Sequence, residues 1–504
     1  MKDICSLITI CILSISLSTH CIAQALHSDQ SYNADSLLDG SCFQIDNIML
    51  NAVYPEASMK TNYINNSRDS YTHTLRLFYT PKTSSHLYYL IITTNSLYNS
   101  LRKEITRYAE DVHAIYGYGI FVESTENATH VQLKTLIQNY QNNLAGTLFI
   151  GDVEEAMFEI DNDYGHDGYR KWPCDLYFMD LNGNWIDNDG NGIFDGHTGH
   201  IKPEIFLGRL SGKGLSSIGN EVEIIRRQLQ KSHNYWWKSS FHNNYKVLNY
   251  INHDWTDIFD ASELSTIFST YYVDDIRYGT STLSPIDYLD RINYGGYGFT
   301  QLAAHSTPIS HEIGSGDVYA STIKNVDSSN YAYNLFCCSA CNWLASNSCY
   351  LGGAYLFNNG QTLAVVGTTK TGGMKGTYSF YSNLSNQHIG KAFLEWWKSF
   401  DGYLSLNDRI SWSYGMTLLG DPTIYLKHQV SDYCVPHLQL NSFPQGDYSN
   451  LILQKAESSI TTSQNFVIPQ DVNVIFDAPE ITIGSGFYCP VGSTFETRPE
   501  GCEL

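Results

Sequence analysis

The sequence predicts an α/β protein: a parallel-sheet α/β sandwich in two subdomains, followed by a small all-β C-terminal module. Three observations carry this. Continuous apolar runs such as Leu87–Thr93 mark strands buried on both faces. Between them lie stretches with apolar residues at three- and four-residue steps, so strand and helix alternate as a parallel sheet requires. From about Ser431 the helical period stops and Val, Ile, Phe, Gly and Pro take over.

The elements follow in order. After the strand Leu87–Thr93 a helix carries Leu97, Leu101, Ile105, Tyr108 and Val112; then come the strand Tyr118–Glu123 and a helix with Leu133, Leu136, Ile137 and Tyr140. Thr147–Ile150 and Glu204–Leu210 are further strands, and Val222, Ile225 and Leu229 mark a long helix. A second set has strands at Lys246–Ile251, Thr270–Asp274, Gly298–Ala304, Asn334–Ser339 and Thr362–Gly367 and a helix near Lys391–Lys398. Gly420-Asp421-Pro422-Thr423 then turns into a last strand. The organisation expected is a signal peptide (1–25), an N-terminal segment that is a candidate pro-segment (26–86), two α/β subdomains (87–240 and 241–430) and the β module (431–504). No short-period repeat is evident.

Composition excludes some classes of function. The 504 residues hold 30 Lys+Arg against 51 Asp+Glu, a net charge of 30 − 51 = −21, so there is no positive field to hold nucleic acid or an anionic membrane. Lys2, the apolar run Ile4–Leu17 and Ala23-Gln24-Ala25 have the order of a secretory signal, and no later stretch approaches a transmembrane span. Removing Cys5, Cys11 and Cys21 with that signal leaves 12 − 3 = 9 cysteines, an odd number that leaves at least one thiol unpaired within the chain. Cys489 and Cys502 are placed to bridge each other, while Cys337, Cys338, Cys341 and Cys349 crowd one stretch where a disulfide between neighbours would be strained.

In open parallel sheets, ligands gather beyond the C-terminal strand ends. His305 ends the run Gly-Phe-Thr-Gln-Leu-Ala-Ala, and Cys341 ends Asn-Leu-Phe-Cys-Cys-Ser-Ala, 341 − 305 = 36 residues later, room for one crossover. An imidazole beside a thiol takes its proton and keeps a thiolate near neutral pH. Backbone N–H groups of the two turns then face a developing oxyanion. Cys338 and Cys341 lack the second spaced pair that zinc needs.

These motifs resemble the gingipain family of cysteine peptidases, in the caspase-like group with legumain, clostripain and separase. The group carries one apolar strand ending in His-Gly and another ending in Ala-Cys. This chain reads Leu-Ala-Ala-His305-Ser306 and Cys-Cys-Ser-Ala340-Cys341. Tyr89–Thr93, Leu148–Asp152, Asp175–Tyr177, Pro203–Arg209, Ala364–Thr368 and Leu419–Thr423 resemble further family segments, so the likeness runs from about 85 to 428. It implies a caspase-like fold, Cys341 as nucleophile, His305 as general base and acid, Asp254 as the carboxylate that orients His305, and the N–H groups of Ser306 and Cys341 as oxyanion donors. It also implies a protein or peptide substrate hydrolysed through an acyl-enzyme, with a catalytically inactive member or a transpeptidase of a secretion system as alternatives.

The chain departs from the family in having Ser306 where a glycine is usual. The loop after Gly367 holds Lys370 and Lys375 and no carboxylate, which argues against a basic residue before the scissile bond; Asp257, Asp260 and Glu263 are the alternative acids. Asp187, Asp189, Asn191 and Asp195, with Gly192 between, have the spacing of a calcium loop, although Thr198 stands where a bidentate Glu belongs. The resemblance implies a structural calcium with ligands at Asp152, Asn182, Asn184 and Glu204. The tail Ile481–Glu496 is similar to C-terminal modules of secreted Bacteroidetes proteins, which implies a secreted or cell-surface protein with surface or secretion machinery as a partner.

Overall fold

The computed structural model describes residues 71–82, 85–238, 244–268, 272–399, 405–427, 434–443 and 449–502. The signal-like start, Cys42 and the 26–70 part of the N-terminal segment lie outside the described residues. The chain divides into two compact units, with the boundary between Tyr433 and Cys434 rather than at 430. No described helix is long and apolar enough to cross a membrane.

The larger unit is built on one eleven-stranded sheet. Its first half holds β1 (Thr72–Tyr79), β2 (Tyr88–Thr94), β3 (Gly119–Glu126) and β4 (Leu144–Ile150). Two small hairpins follow, β5 (Met157–Ile160) with β6 (Arg170–Pro173) and β7 (Asn184–Ile186) with β8 (Gly196–Thr198), before β9 (Phe206–Leu210). The second half holds β10 (Val247–Ile251), β11 (Val273–Arg277), β12 (Phe299–Ala303), then the hairpin of β13 (Ser310–Ile313) and β14 (Gly316–Tyr319), and β15 (Ala332–Phe336), β16 (Ala364–Thr368) and β17 (Met416–Gly420). The order across the sheet is β1-β3-β2-β4-β9-β17-β16-β15-β12-β10-β11.

Two strands break the parallel pattern. β1 runs antiparallel to β3, so residues 72–79 of the expected pro-segment are the edge of the sheet itself. β17 is antiparallel to β16 and fills the place between the two halves. Here Gly420-Asp421-Pro422-Thr423 follows the strand instead of leading into it, and Asp421 turns back to take Thr423 N–H at 2.8 Å.

Local chemistry explains the helix beside β2. Thr94 caps Asn95–Tyr116 by accepting Leu97 N–H, and Gly117 ends it at φ 68°, where a Cβ would be strained. Its apolar stripe packs on the helix Glu221–Trp237. β10, β12, β15 and β16 are buried at every residue, which is why their sequences do not alternate; the central polar residues of β12 and β15 pair with each other, Asn334 donating to Gln301 at 2.8 Å.

β15 ends at Phe336, three residues before the expected end at Ser339. The chain then turns through Ser339 at φ 56° and enters the sheet's interior again. There Cys341 is fully buried, with its sulfur between two glycines. A Cβ at Gly352 would lie 2.7 Å from Cys341 Sγ, and one at Gly367 would lie 2.6 Å from it. Both positions are glycine because the thiol occupies the space.

The C-terminal unit is all β, as expected, but it is a stack of parallel strands. β18 (Val435–Leu440), β19 (Leu451–Thr462), β20 (Asn473–Asp477), β21 (Glu480–Thr482) and β22 (Thr494–Arg498) pair only in parallel. Partners such as Leu451↔Asn473, Ser459↔Glu480 and Asn473↔Thr494 are 22, 21 and 21 residues apart, so the tail does contain a repeat. Phe443, Phe466 and Phe487 stack between successive layers at 5.2 and 6.1 Å. So few layers, differing in most positions, leave no visible period in the sequence. The bridge is Cys434–Cys502, not Cys489–Cys502; the strand stack brings the unit's two ends together, while Cys489 Sγ faces Pro490 and Ser493 carbonyls.

Two outcomes follow for stability. Gly367→Ala is expected to cost about 1–3 kcal/mol in denaturant unfolding, and Cys341→Ala added to it should recover part of that loss, because the clash is with that sulfur. Burial pushes His311 down to about 3 and His388 down to about 4 from 6.5. Below pH 6.5 the unfolded chain binds protons that the folded chain refuses, so stability should fall as pH drops from about 6.5 toward 4 and then 3, read as a falling urea midpoint.

Candidate active site

The site begins with the register of β12 on β15. Ala303 lies opposite Phe336, an offset of 336 − 303 = 33. His305 is two residues beyond Ala303, and the same offset leads to residue 305 + 33 = 338. His305 and Cys338 are thus each two residues past a paired residue, and Cys338 is half-buried where Cys341 is fully buried. Cys341, the expected nucleophile, lies in the interior. Burial holds the Cys341 thiol well above its usual range, with the Cys337 thiol adding to the effect. Its N–H is also spent, donating to Thr368 O at 2.9 Å, so it cannot serve an oxyanion.

The histidine is held as a catalytic imidazole would need. His305 Nε2 bonds Asp254 Oδ2 at 2.6 Å, and the other oxygen of Asp254 takes His253 Nε2 at 2.9 Å. The structure thus places Asp254 on His305 and adds His253, which no sequence motif singles out. Nδ1 of His305 has no hydrogen-bond partner among the described residues, and it is the nitrogen left to receive a thiol proton. Trp255 packs its ring 5.3 Å from His305 and 4.9 Å from Phe336, fixing the imidazole against the strand ends.

Ser306 stands where the resemblance places a glycine, and its backbone is not in the left-handed region. The turn places no demand on φ that a Cβ would resist. Its neighbours close a narrow pair, Glu312 N–H to His305 O and Thr307 N–H to Ser310 O, both at 2.9 Å. That pattern directs the Ser306 N–H away from the pair. Neither it nor the Cys338 N–H makes a hydrogen bond among the described residues. The Ser306 hydroxyl lies against the buried Cys337 thiol and moderates the rise that burial causes there.

The loop after β16 forms the next wall. Ser339 N–H donates to Lys370 O at 2.7 Å, which ties the turn after Cys338 to this loop. Lys370 is buried and its ammonium pairs with Asp163 at 2.8 Å while donating to Thr371 O and Ser411 O. Burial lowers the Lys370 pKa, and Asp163 opposes the shift. Cys338 is within electrostatic reach of both this ammonium and the Tyr164 hydroxyl. Of the alternative acids, Asp260 caps Ser262 N–H, Glu263 accepts from Thr377 Oγ1 at 3.0 Å, and Asp257 is exposed.

The eight donors expected for calcium do not form one cage. Asp152 pairs with Lys213 at 2.9 Å; Asn182 donates to Glu204 at 2.6 Å, and Asn184 to Thr198. In the separate 187–195 loop Asp187 accepts N–H groups of Gly190 and Gly192, and Asp195 accepts from Asn188. The Gly192 N–H leads the interactions that hold the Asp187 carboxyl below its usual range. Among the described residues no group of three His, Cys, Asp or Glu side chains is arranged to hold a metal. The loop satisfies its carboxylates with its own amides.

Comparison with known proteins bears on the whole unit. Residues 82–427 match the model of peptidase family C25. Among solved structures the chain is similar to the Arg-specific cysteine proteinase gingipain R, at 12% identity over 70% of this chain and 81% of that one, TM-score 0.49. It is also similar to the complex of Porphyromonas gingivalis RgpB pro- and mature domains, at 14% identity over 68% and 80% of the two chains, TM-score 0.49. A third, described as a protease, has 13% identity over 68% and 78%, TM-score 0.46. No curated protein matches the chain.

The exposure of the thiols is directly measurable. Brief treatment of the native protein with iodoacetamide, followed by peptide mapping, should modify Cys338 at least about tenfold faster than Cys174, Cys337 and Cys341, because a buried neutral thiol is neither accessible nor ionised.

Proposed function

This chain belongs to peptidase family C25, the gingipain family, and from that premise we propose that it is an exported cysteine endopeptidase whose nucleophile is Cys338. The observation that carries the assignment is the register of two neighbouring parallel strands, β12 and β15, which leaves His305 and the half-buried Cys338 each two residues past a paired residue, Ala303 and Phe336. The N-terminal signal-like segment supports export, since a charged start, an apolar run and a small-residue end follow the order of a secretory signal.

Each group has a defined part. Asp254 accepts the Nε2 proton of His305 and so fixes the tautomer with Nδ1 free. His305 Nδ1 takes the proton of Cys338, and the sulfur bonds to the scissile carbonyl carbon. Negative charge moves to the carbonyl oxygen, toward the Ser306 and Cys338 N–H groups. When the C–N bond breaks, the electron pair leaves on the amine, which takes the proton back from His305. Water then attacks the thioester, giving one proton to His305, and the C–S bond breaks to release the acid and restore the thiol. Ser306 does not interfere, because the step uses its amide and its side chain turns to Cys337.

Kinetics on a peptide substrate test the assignment. Cys338→Ala should lower kcat/KM by roughly 10³-fold or more and Asp254→Ala by about 10²-fold. Cys341→Ala should stay folded and remain within about threefold of the parent, since it removes packing rather than a reacting group. Loss of activity in Cys341→Ala with Cys338→Ala unaffected would return the nucleophile to Cys341.

A further inference from the structure

We propose that the subsite beside Cys338, which receives the side chain just before the scissile bond, takes a large uncharged residue, aromatic or branched apolar, in place of a cation; this rests on the assignment of Cys338 and His305 above. The floor next to the two strand ends is a buried apolar cluster of Ile251, Phe259, Ala303 and Phe336, with Trp255 and Trp412 packed on it and partly exposed. Trp255 touches the His305 side of the dyad. Trp412 lies on the Cys338 side: its ring stacks over Phe336 at 6.0 Å, and its helix neighbour Ser411 accepts from Lys370. The dyad is therefore flanked by two indole rings over a phenylalanine floor. A large apolar side chain there leaves water against existing apolar surface.

The charges around this surface are already matched. Asp163 is a buried carboxylate, and Lys370 of the same chain pairs with it at 2.8 Å while completing its own hydrogen bonds. Tyr164 locks the pair in place, with its hydroxyl on Ser411 O at 2.9 Å and its ring 4.8 Å beneath the ammonium. Lys375 sits 3.6 Å above the Trp412 ring and presents positive charge at the rim. An arriving Arg or Lys side chain would lose water, meet a cation and find Asp163 taken. An arriving carboxylate would leave water for an ammonium already held against the indole, with Asp408 acting on it as well.

The test uses the full chain and substrates that differ only at that residue: Phe, Leu, Ala, Arg, Lys and Asp. Phe and Leu should exceed Arg, Lys and Asp in kcat/KM by about tenfold or more. Trp412→Ala should lower the Phe rate severalfold more than the Ala rate, a selective effect that general destabilisation does not produce. Equal or faster cleavage after Arg, Lys or Asp overturns the inference. The underlying assignment has its own readout, alkylation of Cys338 by iodoacetamide in the parent and in His305→Ala. Activated Cys338 with every substrate refused overturns the subsite while the dyad stands. Alkylation that is slow and indifferent to His305 overturns the dyad, and the subsite with it.

Discussion

The hydrogen-bonded register between β12 and β15 sets the position of every group at the site. A parallel pair has no freedom to slide when both faces are buried, because a one-residue slip would turn its apolar side chains over. All five residues of each strand are buried, so the offset of 33 is fixed by packing on two sides. Two residues past the paired Ala303 and Phe336 stand His305 and Cys338, both partly exposed. Both residues are thus carried by a rigid core, and only the last two positions of each segment are outside it.

The turn after Cys338 completes the arrangement and also explains the second cysteine. Ser339 in the left-handed region reverses the chain. The reversal drives Cys341 into the interior, where Gly352 and Gly367 make room for its sulfur. One cysteine is thereby left at the surface as a reagent and another is used as a small apolar filler. Cys337, between strand and turn, points the other way, toward the Ser306 hydroxyl. The Ser306 hydroxyl is buried without a hydrogen-bond partner among the described residues.

Two buried ion pairs stitch the larger unit across its centre. Arg209 of β9 pairs with Asp175 at 2.7 Å, and the same carboxylate accepts from Thr417 of β17. Asp163, from the loop between β5 and β6, pairs with Lys370 beyond β16. Each cation has hydrogen bonds in addition to its partner, Arg209 to Val153 O and Lys370 to Thr371 O and Ser411 O, which is the condition under which burying it is tolerable. Removing one member would strand the other in a low-dielectric interior, so the Asp163–Lys370 pair specifies how a first-half loop meets a second-half strand end. The second pair also decides the electrostatic character of the site.

The sequence by itself determined the α/β class, the order of the main elements, the all-β tail and the segments that resemble the peptidase family, because apolar period and short motifs are local properties. His305 was legible for the same reason: its strand has a clear apolar run and ends where the run ends. Cys338 was not, since an apolar run passing through two cysteines, Ser and Ala has no local mark of where pairing stops. The end of β15 is decided by its neighbour β12, 33 residues away. The edge strand β1, the Cys434–Cys502 bridge, the parallel stacking of the tail and the capture of Asp163 by Lys370 likewise depend on partners far along the chain. Tertiary structure decided them because pairing energy between distant segments leaves no periodic trace in either segment alone.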